Sequence, residues 1–253
     1  MKIQGCSAIV TGGASGLGEA TARMLAHHGA KVAIFDQNTA MGEQAASAIA
    51  GIFVRTDVSD DASVTEAIAT AEASHGVARL LVNCAGIAPA VKTVGKDAMP
   101  HPLALFRNAV EVNLIGTFNV VSKFSSRLST LDLLGEERGV VVNTASVAAY
   151  DGQIGQAAYA ASKGGVVAMT LPIARDLSQL RIRVATIAPG IFLTPMLMGL
   201  PQAAQESLGT QVPHPSRLGK PEEYAQLVEG IIANPMLNGE VIRLDGAIRM
   251  APR

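Results

Sequence analysis

Residues 6–29, CSAIVTGGASGLGEATARMLAHHG, decide the fold. Cys6–Thr11 is a short apolar run with the length and composition of a buried strand. Gly12-Gly13-Ala14-Ser15-Gly16-Leu17-Gly18 follows, then a helix-like segment from Glu19 that stops at Gly29. Strand, glycine turn and helix in that order give a glycine motif its meaning. The glycines allow a tight turn and let a pyrophosphate approach backbone that carries no Cβ. Ser15, Gly16, Leu17 and Gly18 then lie where a helix start offers unpaired N–H groups and a positive dipole end. The spacing of Gly12, Gly16 and Gly18 is GxxxGxG, preceded by Thr11. His27 and His28, near the helix end, read as solvent-facing or as favourable charges at a C-terminus.

Outward from this turn, strands and helices alternate. KVAIFD (31–36) is a second strand and ends in Asp36, about 20 positions past the last glycine, where an acidic residue accepts hydrogen bonds from the adenosine ribose. Its carboxylate would also repel a 2′-phosphate. Two unit charges about 4 Å apart at an effective dielectric near 20 interact by roughly 4 kcal/mol, and Gln37 and Asn38 bring no compensating cation. The cofactor expected is therefore NAD and not NADP; a strand-end aspartate that caps the helix from Thr39 is the competing reading. GIFVR (51–55) leads to Thr56-Asp57-Val58, where Asp57 either meets an adenine amino group or initiates a turn before a helix over 60–74. RLLVNCAG (79–86) ends in Asn83-Cys84-Ala85-Gly86, small enough for a flat cofactor to lie close to the backbone.

Residues 87–102 are irregular, with Gly95, Pro100 and Pro102 breaking any helix. This stretch suits a substrate entrance; Lys92 and Lys96 either meet an anionic substrate tail or are simply solvated, and His101 reads as a loop residue. Helix is expected over 103–128, with Asn113 on its apolar face, where a polar group demands a partner and can open the helix locally to bind water. Pro172 should kink a later helix or free a carbonyl. RIRVATIA (181–188) is a sixth strand that ends at Pro189-Gly190. The Met- and Pro-punctuated stretch that follows, carrying Phe192 and Thr194, reads as a substrate lid at 191–216, or as ordinary helix–loop–helix packing. Thr194 is placed to reach a carboxamide. A helix over 221–233 and a strand over 240–245 complete the chain.

Chemistry concentrates in residues 143–165, NTASVAAYDGQIGQAAYAASKGG. Ser146 sits just past the fifth strand. Tyr159 and Lys163 lie four residues apart in Ala-rich helix, on one face. A cation beside a phenol favours phenolate, so the Tyr159 pKa is expected to fall toward neutrality from about 10. The Ser146 hydroxyl is placed to hold a substrate oxygen.

Composition narrows the class. The chain has 253 residues, enough for one large α/β domain, and a net charge of −1, which advertises neither nucleic acid nor an anionic membrane. Charged residues make up 16%, against roughly 25% in ordinary domains. Such charge poverty points either to a subunit interface or merely to Ala-rich sequence. Cys6 and Cys84 read as buried free thiols in a reducing compartment, with no metal-ligand spacing. No presequence pattern and no membrane-length apolar run is visible, so a cytoplasmic location is expected.

Thr11-Gly12, Gly16, Gly18, Asn83, Ala85-Gly86, Asn113, Ser146, Tyr159, Lys163 and Pro189-Gly190, in this order, resemble the short-chain dehydrogenase/reductase family over the whole chain. Cys84 departs from it, since the family more usually has a second asparagine there. The resemblance implies an α/β, Rossmann-like, doubly wound parallel sheet of about seven strands in a single domain spanning 1–253. It implies Asn113, Ser146, Tyr159 and Lys163 as the catalytic set: Tyr159 as proton acceptor, Ser146 as the hold on the substrate oxygen, Lys163 as the group that lowers the tyrosine pKa and binds the nicotinamide ribose, and Asn113 as the holder of a water that links Lys163 to solvent. Gly12, Ser15–Gly18, Asp36, Asp57, Val58, Asn83–Gly86, Tyr159, Lys163, Pro189, Gly190, Phe192 and Thr194 are then the cofactor contacts. Ser146, Gln156 and Tyr159 border the substrate, and no metal is needed. The stretches GQAAYAASKGG, MTLPIARDL, QVPHPSRLG and NGEVIRLDGAIRM resemble family members that oxidise short and branched 3-hydroxyacyl-CoA thioesters with NAD, accept some steroid alcohols, and form homotetramers. The rivals are an NADPH-dependent 3-ketoacyl reductase, disfavoured by Asp36, and a non-catalytic NAD-sensing scaffold, which would need none of the catalytic set.

Overall fold

The computed structural model describes residues 1–96, 98–198 and 202–252. Among them, β1 (Ser7–Thr11), β2 (Lys31–Asp36), β3 (Ile52–Arg55), β4 (Leu80–Asn83), β5 (Gly139–Thr144), β6 (Ile182–Pro189) and β7 (Val241–Leu244) form one sheet, every pairing parallel, in the order β3-β2-β1-β4-β5-β6-β7. The strands are apolar on both faces, as a parallel sheet covered on both sides requires. Alternation within them assigns the layers. Ala8, Val10, Leu80, Val82, Val140 and Val142 face a core completed by helices α1 (Gly16–His27), α2 (Thr39–Ala48) and α10 (Pro221–Ala233). Ile9, Leu81 and Val141 face the opposite core, completed by α3 (Asp61–His75), α5 (Gly116–Leu128) and α7 (Ala157–Asp176).

Local chemistry sets the helix starts. Asn38 caps α2 by accepting the Met41 N–H at 3.1 Å, and Asp60 caps α3 through the Ser63 N–H at 2.6 Å. At α10 the Glu223 carboxylate reaches back to the Lys220 N–H at 2.7 Å and is clamped by Arg217, which holds its pKa down to about 2. The expected helix over 103–128 is present but not uniform. α4 (Leu103–Val110) and α5 are joined by one π-helical turn, Glu111–Ile115, and Asn113 sits in it with no exposed surface. Pro172 lies inside α7, which continues through it to Asp176.

The strand order reverses between β1 and β4, and the ends of these strands lie level: Thr11 pairs with Asn83, and Asn83 with Asn143. An open α/β sheet presents its ligand crevice at that switch point, outside the carboxyl ends of the strands. After β6 the chain forms α8 (Pro195–Met198) and α9 (Gln202–Thr210). Residues 199–201 of the expected lid lie outside the described residues. No helix among the described residues is long and apolar enough to cross a membrane.

Candidate active site

Two cavities meet above the switch point. The first, about 630 Å³, runs from the glycine turn to the tip of β2 and the start of α3, and is lined by Gly12, Ser15–Gly18, Asp36, Asp57, Val58 and Cys84–Gly86. The second, about 520 Å³, contains Ser146, Gln156, Tyr159, Lys163, Pro189, Gly190 and Phe192. Leu17, Cys84, Gly86, Ile87 and Thr194 belong to both walls, so the two form one cleft.

The glycine turn fits a dinucleotide for steric reasons. Gly12 has φ +63°, and a Cβ there would stand 2.6 Å from the Ala85 nitrogen; a Cβ on Gly18 would collide with the Gly12 carbonyl. The turn therefore folds tightly on itself and on the end of β4, leaving bare backbone toward the cavity. Asp36 fastens the far rim: its carboxylate accepts the Ala14 N–H at 3.1 Å and the Asn38 N–H at 3.0 Å. It lines the cavity and braces the turn into α2, while the cap itself belongs to Asn38. Asp57 is spent on turn formation, accepting from the Ser59 N–H at 2.9 Å and the Ser59 hydroxyl at 2.6 Å, yet still lines the wall.

The catalytic candidates do not all reach the cleft surface. Ser146 and Tyr159 do, and the Ser146 Oγ accepts the Ala148 N–H at 3.1 Å. Lys163, 4% exposed, lines the second cavity and donates to the Thr144 carbonyl at 2.7 Å. Asn113 lies behind the wall. It accepts the Ile87 N–H at 2.8 Å and donates to the Ile87 carbonyl at 2.8 Å and to the Ser162 hydroxyl at 2.9 Å. Both ends of the amide are bonded, to the loop after β4 and to α7, which fixes Asn113 beside Lys163 behind the wall. A Cβ on Gly86 would stand 3.0 Å from the Asn113 Oδ1 and 3.4 Å from the Lys163 Nζ, so the missing side chain at residue 86 is what lets these two groups close on the cleft from behind. Asn83 is also set back, donating to the Asn143 Oδ1 at 2.9 Å and accepting from the Thr11 hydroxyl at 3.3 Å.

Burial works against the expected acidification of Tyr159. Burial raises the phenol above its ordinary value, and the neighbouring Ser146 hydroxyl offsets only part of this. The same burial holds Lys163 down to about 8. Sequence spacing placed the two groups on one face, but burial and the direction of the lysine amine decide the sign, and the amine points to a carbonyl.

Beneath the floor runs a buried chain of hydroxyls. The Thr144 Oγ1 donates to the Asn83 carbonyl at 2.5 Å, which leaves Tyr224 of α10 to donate to Thr144 at 2.7 Å and the Cys84 thiol to donate to Tyr224 at 3.7 Å. The carbonyl that anchors Lys163 belongs to this same Thr144. Sequence reasoning left several wall residues unnamed, among them Ile87, Asn108, Leu197, Leu208 and Met250. Neighbouring Gln153 lines the second cavity and, with Gln156 and Lys92, an adjacent open groove; Lys96 is exposed. His101 is a loop brace against the Val91 carbonyl, 3.1 Å away. No group of His, Cys, Asp and Glu among the described residues could hold a metal ion.

The family model for short chain dehydrogenases matches residues 7–205. The chain is 52% identical to 3-hydroxyacyl-CoA dehydrogenase type-2 of Homo sapiens, over 99% of this chain and 98% of that protein. It is 51% identical to the Drosophila melanogaster protein of the same name, over 99% and 100%. Among solved structures it is similar to 3-hydroxyacyl-CoA dehydrogenase type-2 from Mycobacterium avium, with a TM-score of 0.93 and 40% identity over 98% of both chains. It is also similar to a 3-ketoacyl-(acyl-carrier-protein) reductase from Brucella melitensis complexed with NADH, with a TM-score of 0.86 and 29% identity over 98% of this chain and 100% of that one.

Proposed function

The chain belongs to the short-chain dehydrogenase family, and on that footing we propose that it interconverts short or branched 3-hydroxyacyl-CoA thioesters and the corresponding 3-ketoacyl-CoA esters. It is an oxidoreductase exchanging a secondary alcohol and a ketone, with NAD as cofactor. The observation that carries the reading is the convergence of Ser146, Tyr159 and Lys163 on a cavity sharing five wall residues with the Asp36-rimmed cleft.

When bound, NAD supplies a hydride acceptor. Gly12, Ser15–Gly18 and Asp36 would hold its pyrophosphate and adenosine ribose, Asp57, Val58 and Ala85 its adenine side, and Lys163, Cys84, Gly86, Pro189, Gly190 and Thr194 its nicotinamide half. Of the expected contacts, Phe192 packs beneath Gly219 on the substrate side, and Asn83 supports from behind. The protein's own part is proton and oxygen handling. Ser146 donates to the substrate oxygen, and Tyr159, as phenolate, takes the alcohol proton and returns it in the reverse direction. A buried phenol resists ionisation, and an ammonium at Lys163 would favour the phenolate. Asn113 positions the loop after β4. The described residues within 191–198 and 202–216 would cover the substrate, with Leu197 and Leu208 in its wall.

The assembly proposed is a homotetramer. Ile115 and Phe118 on the α4–α5 rod and Leu171 on neighbouring α7 are 43%, 52% and 43% exposed, an apolar face that a partner copy would cover. Light scattering should return four times the 26.1 kDa chain, and a monomer would remove this part. A reducing, cytoplasmic setting suits the free thiols of Cys6 and Cys84.

The deciding assay is acetoacetyl-CoA reduction with NADH and with NADPH. Wild type should turn the thioester over with NADH, and an Asp36→Ala, Gln37→Arg pair should move preference toward NADPH. Interaction of a carboxylate with a 2′-phosphate amounts to a few kcal/mol at most, so a shift of about tenfold or more is expected. An unchanged cofactor ratio would reduce Asp36 to a brace for the turn, and no thioester turnover would remove the acyl-CoA assignment.

A further inference from the structure

The cavity holding Ser146 and Tyr159 is walled on one side by the end of the described chain. Met250 faces it beside Gln153, Leu197 and Leu208. The segment that carries Met250 is tied down on both flanks. Downstream, the Gln153 Nε2 donates to the Ala251 carbonyl at 3.0 Å and the Ile154 N–H to the Pro252 carbonyl at 3.0 Å. Upstream, Arg243 of β7 donates to the Ile248 carbonyl at 3.0 Å, pairs with Asp151 at 2.5 Å and Asp245 at 2.7 Å, and lies over the Tyr150 ring at 5.2 Å. Both sets of ties run to residues 150–154, in helix α6 (Ala148–Asp151) and the loop after it, just past Ser146. One braced unit therefore presents the serine hydroxyl and the Met250 thioether to the same space.

We infer that Met250 is a specificity-determining residue whose side chain limits how much of the carbon chain beyond the reacting carbon fits the cavity. The acyl identity of that chain rests on the proposed function; the wall does not. Methionine is unbranched and polarizable, so it fills a variable apolar gap without defining a rigid one. Among the polar members of the wall, Ser146, Gln153 and Gln156 are hydrogen-bonded within the braced unit or to the tail and Lys163 to the Thr144 carbonyl, while Leu197, Leu208 and Met250 offer apolar contact and select by size. A change of one methylene in an apolar pocket shifts discrimination by about 10–200-fold, and truncating methionine to alanine removes more than that.

The test compares kcat/KM of wild type, Met250→Ala and Met250→Leu with NADH on 3-ketoacyl-CoA esters of four and eight carbons, and in parallel on methyl ketones of the same lengths. Met250→Ala should raise the eight-to-four ratio by about tenfold or more, while Met250→Leu, which keeps the volume, stays near wild type. An equal change at both lengths, or none, overturns the inference, because loosening of the fold or contact with the CoA moiety would act on both lengths alike. Absence of thioester turnover in wild type falls on the proposed function alone, since the ketone pair still reads the wall.

Discussion

Tyr159→Phe is expected to lower turnover in both directions by about 10²–10⁴-fold, the contribution of a positioned proton-transfer group, while NADH affinity stays close to wild type. The substitution removes one oxygen and little volume. Its ring remains in the second cavity, and the glycine turn and Asp36 are untouched. Steady-state kinetics beside a fluorescence titration of NADH separate the two effects, and substantial residual turnover would reject the proton role. In wild type, alcohol oxidation should rise with pH. Burial raises the phenol above its ordinary value, so the phenolate that accepts the proton gains population only as the solution becomes alkaline.

Lys163→Met should abolish most activity and at the same time change how stability depends on pH. The lysine is held at about 8 in the fold, against about 10.4 in an unfolded chain. Between these values the unfolded state binds more protons, so wild-type stability rises with pH across that window and the cost of the buried ammonium is fully present below it. The difference corresponds to roughly 3 kcal/mol. Methionine has no such dependence. Denaturant unfolding at pH 7 and pH 10 should therefore show wild type gaining on the variant by up to about that amount. The lost bond to the Thr144 carbonyl shifts both pH values equally and does not enter the comparison. Parallel curves for the two proteins would mean that burial does not depress the Lys163 pKa.

Much of this molecule is written locally. The turn at Gly12, Gly16 and Gly18, the acidic tip at Asp36, and the small-residue end of β4 are sequence-near features whose chemistry depends on neighbours a few residues away, and each stands where its spacing predicts. Asn113 is an intermediate case: a polar residue on an apolar helix face foretold a local opening, and a π turn is there, but its partner, Ile87, lies 26 residues upstream and carries no signal in the helix. The sign of the Tyr159 shift was not legible, because spacing gives a direction along a helix and says nothing of how deeply both groups are buried. Met250 and Asn108 went unnamed for a related reason, since each enters the wall only through tertiary packing, which a local stretch such as NGEVIRLDGAIRM does not report.

Helix α10 gives no side chain to either half of the cleft. Its Tyr224 nonetheless supplies the middle link of the hydroxyl chain that ends on Thr144 and Asn83. Distance from the reacting atoms is thus a poor guide to mutational tolerance in this protein. Tyr224→Phe would look harmless in a survey of core volumes, yet it would take a hydrogen bond from the threonine whose carbonyl holds the lysine amine.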